Sequence, residues 1–357
     1  MYRQLAKLLY QFEPEWVHQR TMNLGQGVSN AASLISLVEF LFGFEDSRLT
    51  TEVGSLEFPN PIGLAAGFDK DGLAVPLLFA LGFGAVEVGT LTPKAQAGNP
   101  KPRLFRLLED QAIINRMGFN NDGIDAFVRH ASTLQCKYPL GVNLGKNKLT
   151  ENDKAADDYC IGLERSYAVG DYFTINISSP NTAGLRDLQS ETSLLPLLKK
   201  ILATRDQLSG QTGKKKPLWL KVAPDLTDDQ LEVICQIALE LKIDALVLTN
   251  TTLDRGNISD LNASQAGGLS GKPLLSRSNA ILSKAFEYTS GKLPLVGVGG
   301  VFTAEDAWKK LELGASFVQI YTSLIYQGPS VVKSINKGLV KQLNQNRAIT
   351  LPKRVVQ

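Results

Sequence analysis

The chain has 357 residues, of which 43% are apolar and 20% are charged, a composition typical of a globular protein. Its net charge of +3 is too small to indicate nucleic-acid binding, and no aromatic-rich basic motif is present. The three scattered cysteines suit a reducing compartment. The two histidines, His18 and His130, argue against a histidine-based metal site.

The first residues lack the basic start, apolar run and cleavage site of a secretory signal. The most apolar early segment, residues 31–44, is shorter than the roughly 20 residues that a membrane span needs. We therefore expect no membrane-spanning segment, although the chain can still lie on a membrane surface.

Residues 1–45 form a distinct N-terminal region. Apolar residues recur at helical spacing in two groups, which predicts two amphipathic helices joined by a linker at residues 25–29. One interpretation is that these helices simply pack on the following domain. The other is that they form a surface hairpin that dips into lipid or guards an apolar tunnel.

From residue 60 onward, short apolar runs alternate with helical patterns. Continuously apolar runs are typical of parallel strands covered on both faces, and eight such runs predict a (β/α)8 TIM barrel spanning residues 46–357. The runs are residues 61–66, 85–90, 139–143, 172–177, 218–222, 245–249, 293–298 and 317–321. The alternative is a doubly wound sheet, but residues 297–302 lack the last glycine of a dinucleotide fingerprint. Thr303 and Asp306 predict a capped helix start.

The carboxyl end of each predicted strand is polar, and in a barrel these ends form the active site. Residues 176–182 (Asn-Ile-Ser-Ser-Pro-Asn-Thr) are the richest of them, and Pro180 ends the strand there. Gly299 and Gly300 precede the helix start at Thr303, which predicts a phosphate site; a simple tight turn is the alternative.

Two lysines at strand ends are compatible with more than one type of reaction. Lys70 or Lys221 could form a Schiff base with a carbonyl substrate, as in some barrel aldolases. Because Asp69 and Asp71 flank Lys70, we expect its amine to stay charged, which argues against a nucleophile. Lys221 beside a phosphate-binding half-barrel suits a flavin, whose reduced ring is negatively charged. A binding barrel without catalysis is the more distant alternative.

The segment 115–119 lies between the second and third predicted strands. Its Asn115 and Arg116 could clamp a substrate beside the 176–182 loop, or the segment could be a structural β-excursion. Ser178 and Ser179 are rival proton acceptors on that loop. Adjacent residues in an extended segment point in opposite directions, so only one of them can face a substrate.

These motifs, in this order, resemble the dihydroorotate dehydrogenase family, specifically its membrane-associated, quinone-linked class. The resemblance covers essentially the whole barrel, and its combination of blocks is highly specific. The matching blocks are residues 65–72, 87–93, 99–107, 114–121, 141–148, 176–186, 221–226, 249–255, 267–273, 297–300 and 318–321.

The resemblance implies a flavin mononucleotide (FMN) enzyme that oxidises (S)-dihydroorotate to orotate in pyrimidine synthesis, with Ser179 as the catalytic base. It implies one FMN per chain, held by Ala66, Gly67, Phe68, Asp69, Lys70, Thr90, Asn143, Asn176, Lys221, Thr249, Gly271, Gly300, Tyr321 and Thr322. It implies a substrate site made of Lys70, Asn115, Arg116, Met117, Gly118, Phe119, Asn176, Asn181, Asn250 and Thr251.

The class also implies a membrane quinone as electron acceptor, entering between the N-terminal helices of residues 1–45. His18, Arg106 and Tyr321 match positions near its tunnel. Soluble classes use cysteine on the catalytic loop and pass electrons to fumarate or a partner subunit, so Ser179 favours the quinone class. The resemblance further implies a monomer without an obligatory protein partner, peripheral on the cytoplasmic face of the cell membrane.

Overall fold

The computed structural model describes residues 2–256 and 258–354. The helices are α1 (Tyr2–Leu9), α2 (Pro14–Ser29), α3 (Ala32–Phe42), α4 (Val75–Ala80), α5 (Ile124–Ala131), α6 (Ala155–Ser166), α7 (Glu191–Thr212), α8 (Asp228–Glu240), α9 (Leu275–Tyr288), α10 (Ala304–Glu312), α11 (Thr322–Gln327) and α12 (Val331–Gln345). The strands are β1 (Thr51–Val53), β2 (Leu56–Phe58), β3 (Ile62–Leu64), β4 (Ala85–Leu91), β5 (Leu104–Leu107), β6 (Ala112–Asn115), β7 (Leu140–Leu144), β8 (Tyr172–Asn176), β9 (Leu218–Val222), β10 (Ala245–Leu248), β11 (Gly268–Gly271), β12 (Leu295–Val298) and β13 (Ala315–Ile320).

Eight parallel strands close into a barrel in the order β3, β4, β7, β8, β9, β10, β12 and β13. Each of the eight predicted runs supplies one of them, so the predicted (β/α)8 barrel is confirmed and the doubly wound sheet was the wrong alternative. Strands β4 and β8 are buried along their whole length, as strands covered on both faces must be. The predicted capping box also forms, because Thr303 and Asp306 exchange side-chain and backbone hydrogen bonds at the start of α10.

The amino end of the barrel is closed by packed aromatic side chains. The β1–β2 hairpin brings Phe58 against Phe317, with 4.6 Å between the ring centroids. Inside the barrel, Tyr172 and Trp219 stack at 3.9 Å. Because these rings fill that end, the space for a ligand inside the described barrel lies towards the carboxyl ends of the strands.

A small antiparallel sheet of β5, β6 and β11 lies outside the barrel strands. Residues 102–119 therefore do make a β-excursion, and it is completed by β11 from a distant part of the chain. Asn115, the last residue of β6, pairs with Gly268 of β11. The sheet thus carries residues of two separate segments towards one place.

The N-terminal region contains three helices, where the sequence predicted two. Glu13 starts α2 by accepting hydrogen bonds from the backbone N–H groups of Glu15 and Trp16, with Pro14 as the first helical residue. Gly25, expected in a linker, lies inside α2. A Cβ there would come 3.0 Å from the Cβ of Ala74, so this glycine permits close helix packing and is not a hinge.

These three helices expose most of the large apolar side chains that the structure describes as solvent-accessible. Phe40 is 82% exposed and Leu24 is 70% exposed. Within residues 2–256 and 258–354, no helix has the length and apolarity needed to cross a bilayer. The apolar surface is therefore carried by short helices on the outside of the protein.

Candidate active site

A cavity opens at the carboxyl ends of the barrel strands, and its empty space is about 1030 Å³ when the part open to solvent is included. The sequence-predicted residues that line it are Ala66, Gly67, Lys70, Thr90, Asn115, Met117, Gly118, Phe119, Asn176, Ser179, Asn181, Lys221, Thr249, Asn250, Thr251, Gly271, Gly300, Tyr321 and Thr322. Residues from all parts of the barrel thus meet around one space.

The two serines of the 176–182 loop have different environments. The Ser178 hydroxyl donates to Asn176 Oδ1 at 2.6 Å and accepts from Asn250 Nδ2 at 2.8 Å. Ser179 lines the cavity, and its Oγ accepts from the backbone N–H of Asn181 at 3.2 Å. The Ser178 hydroxyl already donates one hydrogen bond and accepts another, whereas the Ser179 hydroxyl keeps its proton free to donate.

Amide side chains surround the middle of the cavity. The pairing of β8 with β9 places Asn176 directly beside Lys221. Asn176 Nδ2 donates to Thr90 Oγ1 at 2.9 Å and to Asn143 Oδ1 at 3.1 Å. Asn143 does not line the cavity itself and lies fully buried behind these two residues. Across the cavity, Asn181 Nδ2 donates to Asn115 Oδ1 at 3.2 Å.

The two predicted lysines are both buried. Burial lowers the pKa of Lys70 to about 8, opposed by the nearby negative charges of Asp71 and Glu15. The flanking acids therefore raise the pKa of Lys70 less than the sequence prediction assumed, and burial has the larger effect. One reason is that Asp69 is turned away, since its carboxylate accepts from the backbone N–H groups of Leu73 and Ala74. Burial also lowers the pKa of Lys221.

One end of the cavity is lined by backbone. A Cβ on Gly300 would come 2.4 Å from Leu275 Cα, so the start of α9 packs directly on the 299–300 turn. Gly300 and Gly271 both have positive φ, which favours glycine. Ser270 Oγ and Thr322 Oγ1 lie 2.8 Å apart at the same end. Backbone N–H groups near helix starts, with two hydroxyls, suit an anionic group such as a phosphate.

Arg116 lies differently from the sequence prediction. Its guanidinium donates to Gln265 Oε1 and the Ala266 carbonyl, each at 3.1 Å, and packs over the Phe105 ring. The side chain is outside the cavity lining, where its hydrogen bonds hold the 265–266 loop in place. Its neighbours Asn115 and Met117 do line the cavity.

The residues predicted for quinone access connect the cavity with the N-terminal helices, because Tyr321 lines the cavity and His18 lies on α2. Phe68 packs edge-on against His18 at 5.2 Å and against Tyr321 at 5.7 Å, so the three rings form a continuous row. Burial and the nearby Lys70 lower the pKa of His18 to about 4, which keeps the imidazole neutral. Arg106 anchors the α1–α2 turn by donating to the carbonyls of Leu9 and Phe12.

Two buried polar atoms in the cavity wall have no hydrogen-bond partner among the described residues: Gln319 Oε1 and Ser323 Oγ. Unpaired buried polar atoms are costly, so a bound group that pairs with them stabilises the fold. A flavin nucleotide fits this wall, because its ring carries donors and acceptors and its phosphate suits the backbone-lined end. The charge of Lys221 suits the reduced ring.

The sequence prediction missed Glu87, Ser270 and Gln319. Glu87 is fully buried and accepts from Asn143 Nδ2 and Gln319 Nε2, each at 2.8 Å. A signal was present, because a carboxylate inside the apolar run 85–91 and an amide inside 315–320 need buried partners. Ser270 gave no such signal, because β11 was not recognised as a strand.

Comparisons with known proteins agree on one family. The family model described as Dihydroorotate dehydrogenase matches residues 48–343. A protein of Christiangramia forsetii named Dihydroorotate dehydrogenase (quinone) is 46% identical over 96% of this chain and 99% of its own. One of the same name from Rhizobium johnstonii is 44% identical over 98% of this chain and 94% of its own.

Solved structures give the same result. A DHODH from Eimeria tenella, solved in complex with ferulenol, superposes with a TM-score of 0.85 at 39% identity and covers 95% of both chains. Its ligand-free form gives a TM-score of 0.82, covering 89% of this chain and 96% of that chain. From the family match and the identity over nearly its full length, this chain belongs to the dihydroorotate dehydrogenase family.

Proposed function

We propose that this protein oxidises (S)-dihydroorotate to orotate with a quinone as electron acceptor, in the synthesis of pyrimidines. The observation that carries the proposal is the position of Ser179 in a cavity that also holds Lys70 and the asparagine side chains. An amide-lined cavity that also holds the side chain of Lys70 matches a planar, anionic ring substrate. The test is conversion of dihydroorotate to orotate by the purified protein when a quinone analogue is supplied.

The proposed cofactor is FMN, one per chain. Its phosphate would lie at the backbone-lined end, against Gly271, Gly300, Tyr321 and Thr322. Its ring would face Lys221, with contacts from Ala66, Gly67, Lys70, Thr90, Asn176 and Thr249. When bound, FMN supplies a ring that accepts a hydride. Phe68, Asp69 and Asn143 would support this site from outside the cavity lining.

The proposed substrate site uses the opposite side of the cavity. Asn115, Asn176, Asn181, Asn250 and Thr251 would hold the pyrimidine ring by its amide and carbonyl groups. Lys70 would pair with the carboxylate, and residues 117–119 would close the site with backbone and apolar contacts. Several fixed donors around one planar ring hold it in a single orientation, which is what a directed hydride transfer requires.

In this arrangement Ser179 Oγ takes the proton from the ring carbon next to the carbonyl, while the neighbouring carbon gives up the hydride. A serine hydroxyl is a weak base, so Ser179 must pass its own proton onward as it accepts one. The asparagine amides and Lys70 stabilise the negative charge that develops on the carbonyl oxygen. The single backbone contact to Ser179 Oγ leaves its hydroxyl proton free for such a transfer.

The charge on Lys70 predicts how ligand binding depends on pH. Because burial lowers the pKa of Lys70 to about 8, the free protein loses this positive charge as pH rises through 8. A bound carboxylate raises that pKa again. The dissociation constant of orotate should therefore increase about tenfold per pH unit above pH 8. Isothermal titration at several pH values measures this dissociation constant. Lys70→Met should bind orotate weakly, with a dissociation constant that does not change with pH in this range.

For the N-terminal helices we propose contact with a membrane surface and a quinone path along His18, Phe68 and Tyr321, with Arg106 fixing the α1–α2 turn. The exposed apolar side chains of α1, α2 and α3 support this proposal. The protein would then lie peripherally on the cytoplasmic face of the cell membrane, as a monomer. Residues 1–45 would form this membrane and quinone-access domain, and residues 46–357 would form the barrel.

Phe40 offers a direct test of membrane contact. Phe40→Glu should lower partitioning onto phosphatidylglycerol-containing vesicles about 10- to 100-fold, because one buried Phe contributes roughly 1.5–3 kcal/mol. Flotation with the vesicles measures the bound fraction. Leu149→Glu is the matched control, since Leu149 is 93% exposed and lies in the connection between β7 and α6. Equal effects of both variants would remove Phe40 from the membrane contact.

A further inference from the structure

A buried lysine lies behind the backbone-lined end of the cavity. Lys310, on α10, is 0% exposed. Its Nζ donates to Ser278 Oγ at 2.8 Å and to Asn279 Oδ1 at 2.9 Å, both on α9. Gly297 on β12 leaves room for the lysine stem, because a Cβ there would lie 2.9 Å from Lys310 Cδ. Helix α9 and strand β12 thus cover this ammonium group.

The charge of Lys310 is not paired with a carboxylate within 4.0 Å among the described residues. The carboxylate that acts on it from further away is Asp306, whose Oδ2 accepts from the backbone N–H groups of Phe302 and Thr303. Burial lowers the pKa of Lys310 to about 7, and the charge of Asp306 opposes this effect. A buried cation without a paired carboxylate is costly, so another anion nearby would stabilise its charged form.

Ser278 connects Lys310 to the 299–300 turn. Its hydroxyl shares its proton between the carbonyls of Leu275 and Gly299, each at 3.0 Å. The serine is fully buried and packs on the turn, since a Cβ on Gly299 would come 3.1 Å from Ser278 Cβ. Because the hydroxyl oxygen accepts from the lysine ammonium, its own proton is directed at these carbonyls. Lys310 therefore orients the donor that holds the Gly299 carbonyl.

The Gly299 carbonyl and the Gly300 N–H belong to one peptide group. This peptide is trans, so its C=O and N–H bonds point in opposite directions. With the carbonyl held by Ser278, the N–H points away from Lys310. Gly300 lines the cavity, and its N–H has no hydrogen-bond partner among the described residues. The lysine and the serine thus hold a free backbone donor towards the space that suits an anionic group.

We infer that Lys310 is a positioning residue for the flavin phosphate: through Ser278 it holds the Gly300 N–H towards the cavity, and its charge adds to the attraction for the phosphate. The inference rests on the proposed function, because it takes FMN to be the occupant. Lys310 does not line the cavity, so it acts through the 299–300 turn and across it. The phosphate in turn is the anion that stabilises the buried ammonium.

The test compares FMN with riboflavin, which has the same ring and lacks the phosphate. Fluorescence titration of the flavin-free, full-length protein gives both dissociation constants. In Lys310→Met, the ratio of the riboflavin constant to the FMN constant should fall about tenfold, within the roughly 5–150-fold range typical of coupling between two sites. This ratio isolates the phosphate, because an effect on ring binding changes both constants equally.

Lys309→Met is the matched control. Lys309 precedes Lys310 on α10, but its side chain is 58% exposed and its Nζ lies 3.6 Å from a carboxylate oxygen of Glu312. The variant removes the same formal charge from the same helix. Its ratio should stay within about twofold of that of the unsubstituted protein, because solvent and salt screen an exposed charge. An equal fall of the ratio in both variants would reflect net charge alone and contradict the inference.

A purely structural role for Lys310 would weaken the binding of both flavins and leave the ratio within about twofold of the original, as independent effects do. That result would overturn the inference. If Lys310→Met does not fold, Lys310→Gln decides, since it keeps an N–H donor for Ser278 without the charge and should lower the ratio at least about fivefold. Failure of the proposed function would look different: the unsubstituted protein would bind neither flavin, or would hold FMN that dihydroorotate does not reduce.

Discussion

Ser179→Ala should bind flavin normally and be reduced by dihydroorotate about 10³-fold more slowly, within the roughly 10²–10⁴-fold range of general-base catalysis. The reason is geometric, because Ser179 lines the cavity while the Ser178 hydroxyl is held between Asn176 and Asn250. The substitution removes the proposed proton acceptor and leaves the cavity wall otherwise intact. Stopped-flow absorbance of the flavin under anaerobic conditions measures the rate.

Ser179→Cys provides the control for this prediction. A thiol is more acidic than a hydroxyl, so the variant should keep part of the activity and reach its maximum rate at lower pH. Orotate should bind all three proteins with similar affinity, since the proposed role of Ser179 is in proton transfer and not in ligand binding. A normal reduction rate in Ser179→Ala would show that another group is the base.

Deletion of residues 2–43 should lower quinone-dependent turnover about 100-fold, the size of effect expected when a reacting group is misplaced by about 1 Å. The flavin reduction rate with dihydroorotate should stay within about threefold, because none of the described side chains of α1–α3 lines the cavity. The deletion also removes the Glu15 carboxylate that pairs with Arg103 at 2.8 Å. Because the deletion also exposes the Arg103 guanidinium to solvent, its positive charge is hydrated and does not stay buried without a partner.

Steady-state assays with a short-chain quinone and stopped-flow reduction separate the two half-reactions. His18→Ala is the matched point variant, since it removes one ring of the row formed with Phe68 and Tyr321 and keeps the helices. It should also slow quinone reduction alone. Equal loss of both half-reactions in the deletion would mean that the helices mainly stabilise the barrel.

The barrel was predictable because each of its strands is a short, continuously apolar run bounded by polar residues. The number and bounds of the N-terminal helices were not, because Pro14 and Gly25 each permit two interpretations. Pro14 begins a helix as readily as it ends one, and Gly25 serves close packing against Ala74. Which of the two interpretations is right for each residue depends on the barrel surface on which the helices pack. The periodicity of apolar residues does not contain that information.

The cavity was largely predictable because barrels gather their strand ends at one place. Arg116 was not, since its partners Gln265 and Ala266 lie about 150 residues away in sequence and only the folded chain brings them together. Glu87 lies deeper than the strand ends and was overlooked for that reason. A charged residue inside an apolar run should have been treated as a candidate for a buried functional network.

The absorption spectrum of the purified protein before and after anaerobic dihydroorotate tests the central claim most directly. We expect a yellow protein whose flavin absorbance bleaches on addition of dihydroorotate and returns when a quinone is added. The denatured protein should release one FMN per chain. A colourless protein that fails to take up FMN, or a flavin that dihydroorotate does not bleach, would contradict the proposed function.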